Sequence, residues 1–168
     1  MTMGNFYYEE DWLEIVKEQE TILHYDTFTR SMALELGLNI LKLAEEHYHK
    51  PAAVQIIEDG TIIFAHKMAG TSSENDWWMN RKLAVSRLTG TSSLHACILA
   101  EMGNPTPQWQ ERPENYAVCG GCVPVFPADG STPWAYVMVS GMAHQEDHQV
   151  IVDAMARQLN KKIGTVTK

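Results

Sequence analysis

The chain has 168 residues, a formal charge of −8 and three cysteines. Its length fits one domain, and its composition, 45% hydrophobic with five tryptophans, is that of a packed globular protein. The acidic balance excludes a general nucleic-acid binder, and the apolar runs are far shorter than the roughly 20 residues of a membrane span. Residues 1–11 lack the basic start and apolar core of a signal peptide. We therefore expect a cytoplasmic protein with reduced thiols and with neither nucleic acid nor membrane among its partners.

The first third of the sequence predicts two helices separated by a short extended segment. Residues 8–19 place apolar side chains on one face and predict an N-terminal helical extension, residues 1–19, of a single domain that spans 1–168. Asp26 or Thr27 is then expected to cap a long helix, "FTRSMALELGLNILKLAEEHYH", which Pro51 ends. That helix is apolar on almost every side. We expect it to be covered on several sides, either within the core or by another subunit.

The remaining elements predict two hairpins and three more helices. "AAVQIIEDGTIIFAH" reads as a hairpin with Asp59-Gly60 as its turn, and residues 122–140 read as a second hairpin. Residues 72–90 and 91–103 predict two helices, residues 104–114 a loop, and residues 144–162 a final helix. Both hairpins are apolar on both faces. The predicted fold class is therefore α/β, with an antiparallel sheet covered by helices on both faces.

The stretch "CGGC" raises the question of redox or metal chemistry. A thioredoxin-like pair begins a helix, where the helix dipole lowers a thiol pKa, whereas Cys119 and Cys122 precede the strand-like run "VPVF". A zinc site needs two further ligands at suitable spacing, and the remaining cysteine lies alone on a predicted helix. We interpret the pair as structural, with Gly120-Gly121 supplying a kink or a close approach to a ligand or helix.

In "DWWMNRK" a pair of tryptophans is followed, one helical turn later, by a pair of cations. Trp77 with Arg81 and Trp78 with Lys82 are both spaced i, i+4, so each cation can lie over an indole. One interpretation is a binding wall for an anionic, planar ligand. The other is that the tryptophans belong to the core and that the cations cover their edges.

The segment "AHQEDHQVIVDAM" places His144 and His148 one helical turn apart on an apolar stripe. Two such histidines can hold one transition metal, with Asp147 near enough to join them or to orient one. The alternative is that both histidines are hydrogen-bonded packing residues. A further polar segment, "TGTSSLH", offers either an anion site on Ser92 and Ser93 or simple helix capping, which we favour.

Four segments together resemble the haem-degrading-domain superfamily, also described as GlcG-like or HbpS-like: "IIEDGTIIFAHKMAG", "SENDWWMNRKLAVSRLTGTSS", "CGGCVPVF" and "VMVSGMAHQEDHQVIVDAM". Within it the chain is similar to an intracellular branch of uncharacterised proteins. The likeness covers about residues 20–160. The positions that match are Asn75, Asp76, Trp78, Arg81, Lys82, Ser92, Ser93, Gly120, Gly121, Ser140, Gly141, His144, Asp147 and His148.

The resemblance implies a profilin-like fold, a homo-oligomer of dimers combined into a larger ring, and binding of haem or related small molecules in some relatives. It leaves the cofactor undetermined, with haem or a divalent metal as candidates. Three functions follow as hypotheses: a small-ligand-binding oligomer, an enzyme, or a structural protein that docks through Phe6, Tyr7 and Tyr8. The site residues they use are Trp78, Arg81, Lys82, Ser92, Ser93, Gly120 and Gly121 for the ligand, His144 and His148 for a metal, and His148 and Asp147 for catalysis.

Overall fold

The computed structural model describes residues 8–166, so Phe6 and Tyr7 lie outside the described residues. The helices are α1 (Trp12–Ile22), α2 (Arg30–Leu43), α3 (Ser73–Thr89), α4 (Ser93–Glu101), α5 (Pro107–Glu111) and α6 (His144–Leu159). The strands are β1 (His24–Tyr25), β2 (Ala53–Glu58), β3 (Thr61–Lys67), β4 (Cys122–Pro127) and β5 (Ala135–Ser140). Within the described part of the chain, no helix is both long and apolar enough to cross a membrane.

The strands form one sheet in the order β1-β4-β5-β2-β3. All neighbours are antiparallel except β1, which pairs in parallel with β4 over two residues. The predicted Asp59-Gly60 turn is confirmed. Both residues have positive φ values, 48° and 77°, and they join Glu58 to its partner Thr61. That backbone is the one that a two-residue hairpin turn requires.

Helices cover both faces of the sheet, as predicted. On one face, α2 and α6 enclose the larger core, in which Ile40 and Ile151 pack with Val137 of β5. On the other face, Met79 and Leu83 of α3 pack against a second cluster that includes Met138. Val137 and Met138 are successive residues, so the alternation along β5 serves both cores. The predicted α/β fold class, with a sheet covered by helices on both faces, is therefore confirmed; its hairpins are antiparallel as predicted, and the two-residue strand β1 adds one parallel pairing.

The long second helix differs from its prediction at its start and on its outer face. Thr29 caps it by accepting a hydrogen bond from the Met32 N–H, so the prediction of Asp26 or Thr27 as the cap is wrong. A π-helical turn, Ala44–Tyr48, follows it. Leu34 and Leu38 are 52% and 53% exposed. A single protomer therefore covers only one side of this helix.

The predicted loop at residues 104–114 is wrong because it contains α5 and a 3-10 turn, Pro113–Asn115. Trp109 supplies the reason, since it is buried against Val85 and Ala96 and anchors the short helix. Proline in the first helical turn costs nothing there. Other bounds shift by a few residues: α1 begins at Trp12 and α6 ends at Leu159.

Candidate ligand-binding cleft

A cleft of about 460 Å³ lies between α3 and the segment that joins β5 to α6. Its volume is within the range of small-molecule sites, roughly 300–1,000 Å³. The indole of Trp78 and the thioether of Met142 supply apolar wall, and charged or polar groups lie beside them. The lining consists of Glu74, Asn75, Trp78, Lys82, Cys119, Ser140, Gly141, Met142, His144 and Asp147.

A buried ion pair forms the floor of the cleft. Lys82 Nζ donates hydrogen bonds to Asp147 Oδ2 at 3.0 Å and to the Val139 carbonyl at 2.9 Å. Both side chains are only 3% exposed. Asp147 Oδ1 accepts a further bond from the Met142 N–H at 3.0 Å. This ion pair thereby links α3 to the end of β5 and to the start of α6.

Burial sets the acid–base properties of this pair. It raises the pKa of Asp147 to about 6, with the Lys82 charge acting in the opposite direction. Burial on its own lowers the pKa of Lys82, but the charge and hydrogen bond of Asp147, together with the nearby Cys119 and Cys122, offset that effect, so this pKa is raised. Both groups are therefore charged at neutral pH.

The glycine pair brings backbone against both α6 and Lys82. The Gly120 N–H donates to His144 Nδ1 at 2.8 Å, and a Cβ at this position would lie 2.4 Å from the His144 carbonyl oxygen. Gly121 has a φ of +129°, and a Cβ there would lie 2.5 Å from Lys82 Nζ. The predicted close approach of the backbone to a helix is confirmed.

The cysteines of "CGGC" are free and buried. Burial raises the pKa of Cys119 and raises that of Cys122 to about 12, so both are thiols at neutral pH. Cys122 begins β4 rather than a helix, and its N–H donates to Ser93 Oγ at 3.0 Å. This geometry favours the structural interpretation of the pair. Cys119 also lines the cleft, a placement that spacing alone did not indicate.

Arg81 is buried and holds a loop instead of lining the cleft. Its Nη2 donates to the Pro113 and Tyr116 carbonyls, both at 2.9 Å. The guanidinium lies 4.1 Å from the Trp77 ring centroid, which confirms that predicted contact, and 5.2 Å from that of Trp78. Trp77 is 50% exposed, so the interpretation of Trp77 as core with Arg81 covering its edge is wrong. The buried guanidinium is instead paired with backbone carbonyls of the 113–116 loop, which is distant in sequence.

The expected contact between Trp78 and Lys82 gives way to the ion pair described above. Lys82 directs its ammonium towards Asp147 and the end of β5, while the indole of Trp78 forms the wall of the cleft. Ser92 and Ser93 are fully buried and are not among the residues that line the cleft. Ser92 Oγ accepts from the His95 N–H at 3.2 Å, so the predicted capping role is confirmed.

The two histidines lie in different environments. His144 lines the cleft, and burial, helped by the Lys82 charge, lowers its pKa to about 4. His148 is buried away from the cleft with its Nε2 2.8 Å from Gln19 Oε1, and burial lowers its pKa to about 3. Residues 8–166 contain no group of three or more His, Cys, Asp or Glu side chains placed to hold a metal ion. Metal binding by the histidine pair stays a prediction.

Three lining residues were not predicted from the sequence: Glu74, Cys119 and Met142. Each has a weak signal beside a predicted residue. Glu74 precedes Trp78 by one helical turn, Cys119 precedes the glycine pair, and Met142 lies inside the S-G-x-x-H segment. The sequence therefore indicated these three residues only through their neighbours, which match the family pattern.

These features define an α/β protein with a ligand-sized cleft beside its central sheet, above a buried ion pair. The chain belongs to the family described as haem degrading protein HbpS-like, which it matches over residues 28–156. The resemblance stated from the sequence is confirmed.

Related proteins match over most of their length. A UPF0303 protein of Streptomyces coelicolor is 33% identical over 144 residues, which are 84% of this chain and 90% of that protein. The crystal structure of Ybr137w, a UPF0303 protein of Saccharomyces cerevisiae, is 27% identical with a TM-score of 0.80 and covers 90% of both chains. A structure titled as a PduOC:haem complex has a TM-score of 0.65 at 15% identity, covering 84% of this chain and 99% of the other. At that identity the likeness concerns the fold.

Proposed function

We propose that this protein binds a small organic molecule in the cleft between α3 and the start of α6. One observation carries the proposal: an accessible cleft with the indole of Trp78 on its wall lies directly above the buried Lys82–Asp147 pair. A buried ion pair is a weak source of stability, because desolvation offsets most of the attraction. Perturbed carboxylates beside a concave apolar surface are instead typical of binding and active sites.

Haem is the first ligand to test. The family is described as haem degrading, and a protein of the same fold is titled as a haem complex. The cleft residues fit part of this ligand, because Trp78 and Met142 offer apolar surface to a porphyrin. Haem iron takes histidine or methionine as axial ligands, and the cleft lining contains His144 and Met142. A divalent metal is the second candidate, through the predicted histidine pair.

Native mass spectrometry of the untagged protein is the first experiment, because any mass above that of the protein gives the mass of a ligand retained through purification. A hemin titration followed by the Soret band then locates the site. We expect Trp78→Ala to weaken hemin binding, because this indole forms the cleft wall, while Trp134→Ala, in the β4–β5 connection outside the cleft lining, leaves the affinity unchanged. Equal hemin affinity in both variants, or no retained and no added ligand, would count against binding in this cleft.

Catalysis is the second hypothesis, and the contacts give it no specific support. Asp147 directs its carboxylate oxygens to Lys82 and the Met142 N–H. His148 contacts Gln19, and Arg81 holds the 113–116 loop. A general base must reach the substrate proton within hydrogen-bond distance. The roles of His148 and Asp147 in catalysis therefore stay predictions, as does the cytoplasmic location.

We also propose that the protein is a homo-oligomer of dimers in a larger ring, with α2 at one interface. Leu34 and Leu38 leave apolar surface on a helix that was expected to be covered on several sides. The double variant Leu34→Glu/Leu38→Glu should reduce the mass measured by light scattering by at least half. The matched control Lys17→Glu changes an exposed residue of a different helix, α1, and should leave the mass unchanged. A monomeric wild-type protein would refute the assembly.

A further inference from the structure

A second cavity, of about 430 Å³, lies beside the end of α2 and the C-terminal end of α6. It shares no lining residue with the cleft described above, and its volume is also that of a small-molecule site. Three cations line it, those of Arg157, Lys161 and Lys162. The whole chain has 13 basic and 21 acidic residues, so a group of cations around one cavity is contrary to its average charge.

The hydrogen-bonded end of α6 fixes the backbone that carries these cations. Asn160 ends the helix in the left-handed conformation, with a φ of 54°. Its N–H donates to the Arg157 carbonyl at 3.2 Å, and the Lys161 N–H donates to the Ala156 carbonyl at 2.8 Å, as in a Schellman motif. These backbone donors satisfy two of the last carbonyls of α6, which lysine side chains could otherwise cap. Further along, the Gly164 carbonyl accepts a side-chain hydrogen bond at 2.8 Å, so the segment is held at both ends.

The three cations have no protein partner within residues 8–166, where none of them forms an ion pair or a side-chain hydrogen bond. Among the described residues that line the cavity, Asp153 is the one with a carboxylate. Its Oδ1 accepts from Gln149 Nε2 at 2.8 Å, and its Oδ2 accepts from the Tyr48 hydroxyl at 3.4 Å. Burial raises the pKa of Asp153, and these hydrogen bonds and the charge of Arg157 only partly offset that effect. The cavity therefore presents three unpaired cations beside one carboxylate that the protein itself holds.

Apolar side chains complete the lining. Leu43 and Ala156 are buried, at 6% and 7% exposure, and Ile163 packs against the larger core. His47 reaches the cavity from the π-helical turn that follows α2. Such turns are rare and are frequently found at functional sites. A molecule in this cavity therefore meets both apolar surface and cations.

We propose that this second cavity binds a small phosphomonoester, with its phosphate on Arg157, Lys161 and Lys162 and its organic part on the apolar lining. Three cations and one carboxylate leave an excess of two positive charges. A phosphate group carries a charge of about −1.5 to −2 at pH 7 and presents three strong acceptor oxygens. Arginine binds two such oxygens at once, and lysine binds as a point charge. The site is separate from the cleft and does not rest on the proposed function.

Phenyl phosphate and phenyl sulfate test the ligand class, because they share a shape and differ in charge. We expect calorimetric titration at pH 7.5 to show phenyl phosphate binding at least about fivefold more tightly than phenyl sulfate. Inorganic phosphate should bind more weakly than phenyl phosphate, since it lacks the part that contacts the apolar lining. In ¹H–¹⁵N spectra, phenyl phosphate should shift amide signals of residues 43–48 and 156–164 and leave the indole N–H of Trp78 unchanged.

Single-charge variants test the residues. Arg157→Gln and Lys162→Gln should each weaken phenyl phosphate about tenfold, the effect of one lost charge-assisted hydrogen bond. Lys17→Gln is the matched control, because it removes one exposed cation that lines neither cavity and should leave the affinity unchanged. The amide spectrum of each variant shows whether its fold is intact.

Each contrary result has a distinct meaning. Equal affinity for the two esters would overturn the ligand class, and equal losses in all three variants would show attraction to net charge instead of a site. Absence of phenyl phosphate binding at millimolar concentration would overturn the proposal while leaving the cleft untouched. Shifts at the Trp78 indole without shifts at residues 156–164 would place the ester in the cleft, against this site and in favour of the proposed function.

Discussion

Replacing Lys82 by methionine removes the cation of the buried pair and keeps a side chain of similar length. Asp147 then remains in a site where it is 3% exposed, with the Met142 N–H still donating to it. Removing one partner of a buried pair costs about 3–5 kcal/mol, because the other charge is left without compensation. We expect a loss of that size at pH 8.

The loss of stability in Lys82→Met should be smaller at low pH, because a protonated Asp147 is neutral and no longer an unpaired buried charge. Its pKa is about 6 in the wild type, well above the value in an unfolded chain, and removal of the Lys82 charge raises it further. A raised carboxyl pKa means that the folded state binds its proton more tightly, so stability falls as pH rises towards that pKa. The difference between variant and wild type should therefore grow by up to about 2.7 kcal/mol between pH 6 and pH 8, at about 1.4 kcal/mol per unit.

Urea unfolding at pH 6 and pH 8 measures this difference, and comparison at the same pH cancels the groups that both proteins share. The double variant Lys82→Met/Asp147→Asn is the matched control, since its amide keeps the acceptor for Met142 but has no charge to bury. It should recover stability at pH 8 and show a difference that is independent of pH. A Lys82→Met effect of equal size at both pH values would refute the assignment of the cost to the unpaired carboxylate.

Three further outcomes follow from the same contacts. Gly121→Ala should lower the free energy of unfolding by at least about 2 kcal/mol more than Gly130→Ala does. Both glycines have a positive φ, but only a Cβ at Gly121 would clash with Lys82 Nζ and the Val139 carbonyl. Equal losses of stability in urea unfolding would contradict this expectation. The pKa of His148 in the folded protein, about 3, lies below its unfolded value, so the protein loses stability as the pH falls. Between pH 7.5 and pH 4.5 the wild type should lose about 2.7 kcal/mol more stability than His148→Gln. Parallel curves of stability against pH would refute a role of His148 in this loss. The three buried thiols should react with Ellman's reagent only on unfolding, and fast reaction of the native protein would contradict their raised pKa values.

The elements of the fold that depend on local sequence were predictable. The Asp59-Gly60 turn and the strands on either side were correct because turn residues and apolar runs act over a few positions. The start of α2 was misplaced, since Asp26, Thr27 and Thr29 are all suitable caps and only the packed helix selects Thr29.

The site was less predictable because its contacts are distant in sequence. Spacing placed Arg81 and Lys82 near two indoles, but their burial depends on carbonyls at Pro113 and Tyr116 and on a carboxylate at Asp147. A local pattern cannot show that two cations occupy the inner side of a helix. The contact between His148 and Gln19 spans 129 residues and has no signal in either segment.

The two edges of the sheet are chemically unlike. On the β4 side, Pro124 and Pro127 remove donors and β1 covers the end of the strand, so this edge offers little to another strand. On the other side, the seven residues of β3 include no proline, and β3 pairs within the described chain only through its inner side. A sheet with one blocked and one open edge can pair once with a second copy, through a twofold axis at the open edge, and the combined sheet then has only blocked edges. Strand addition would therefore terminate in a closed pair instead of growing into a filament.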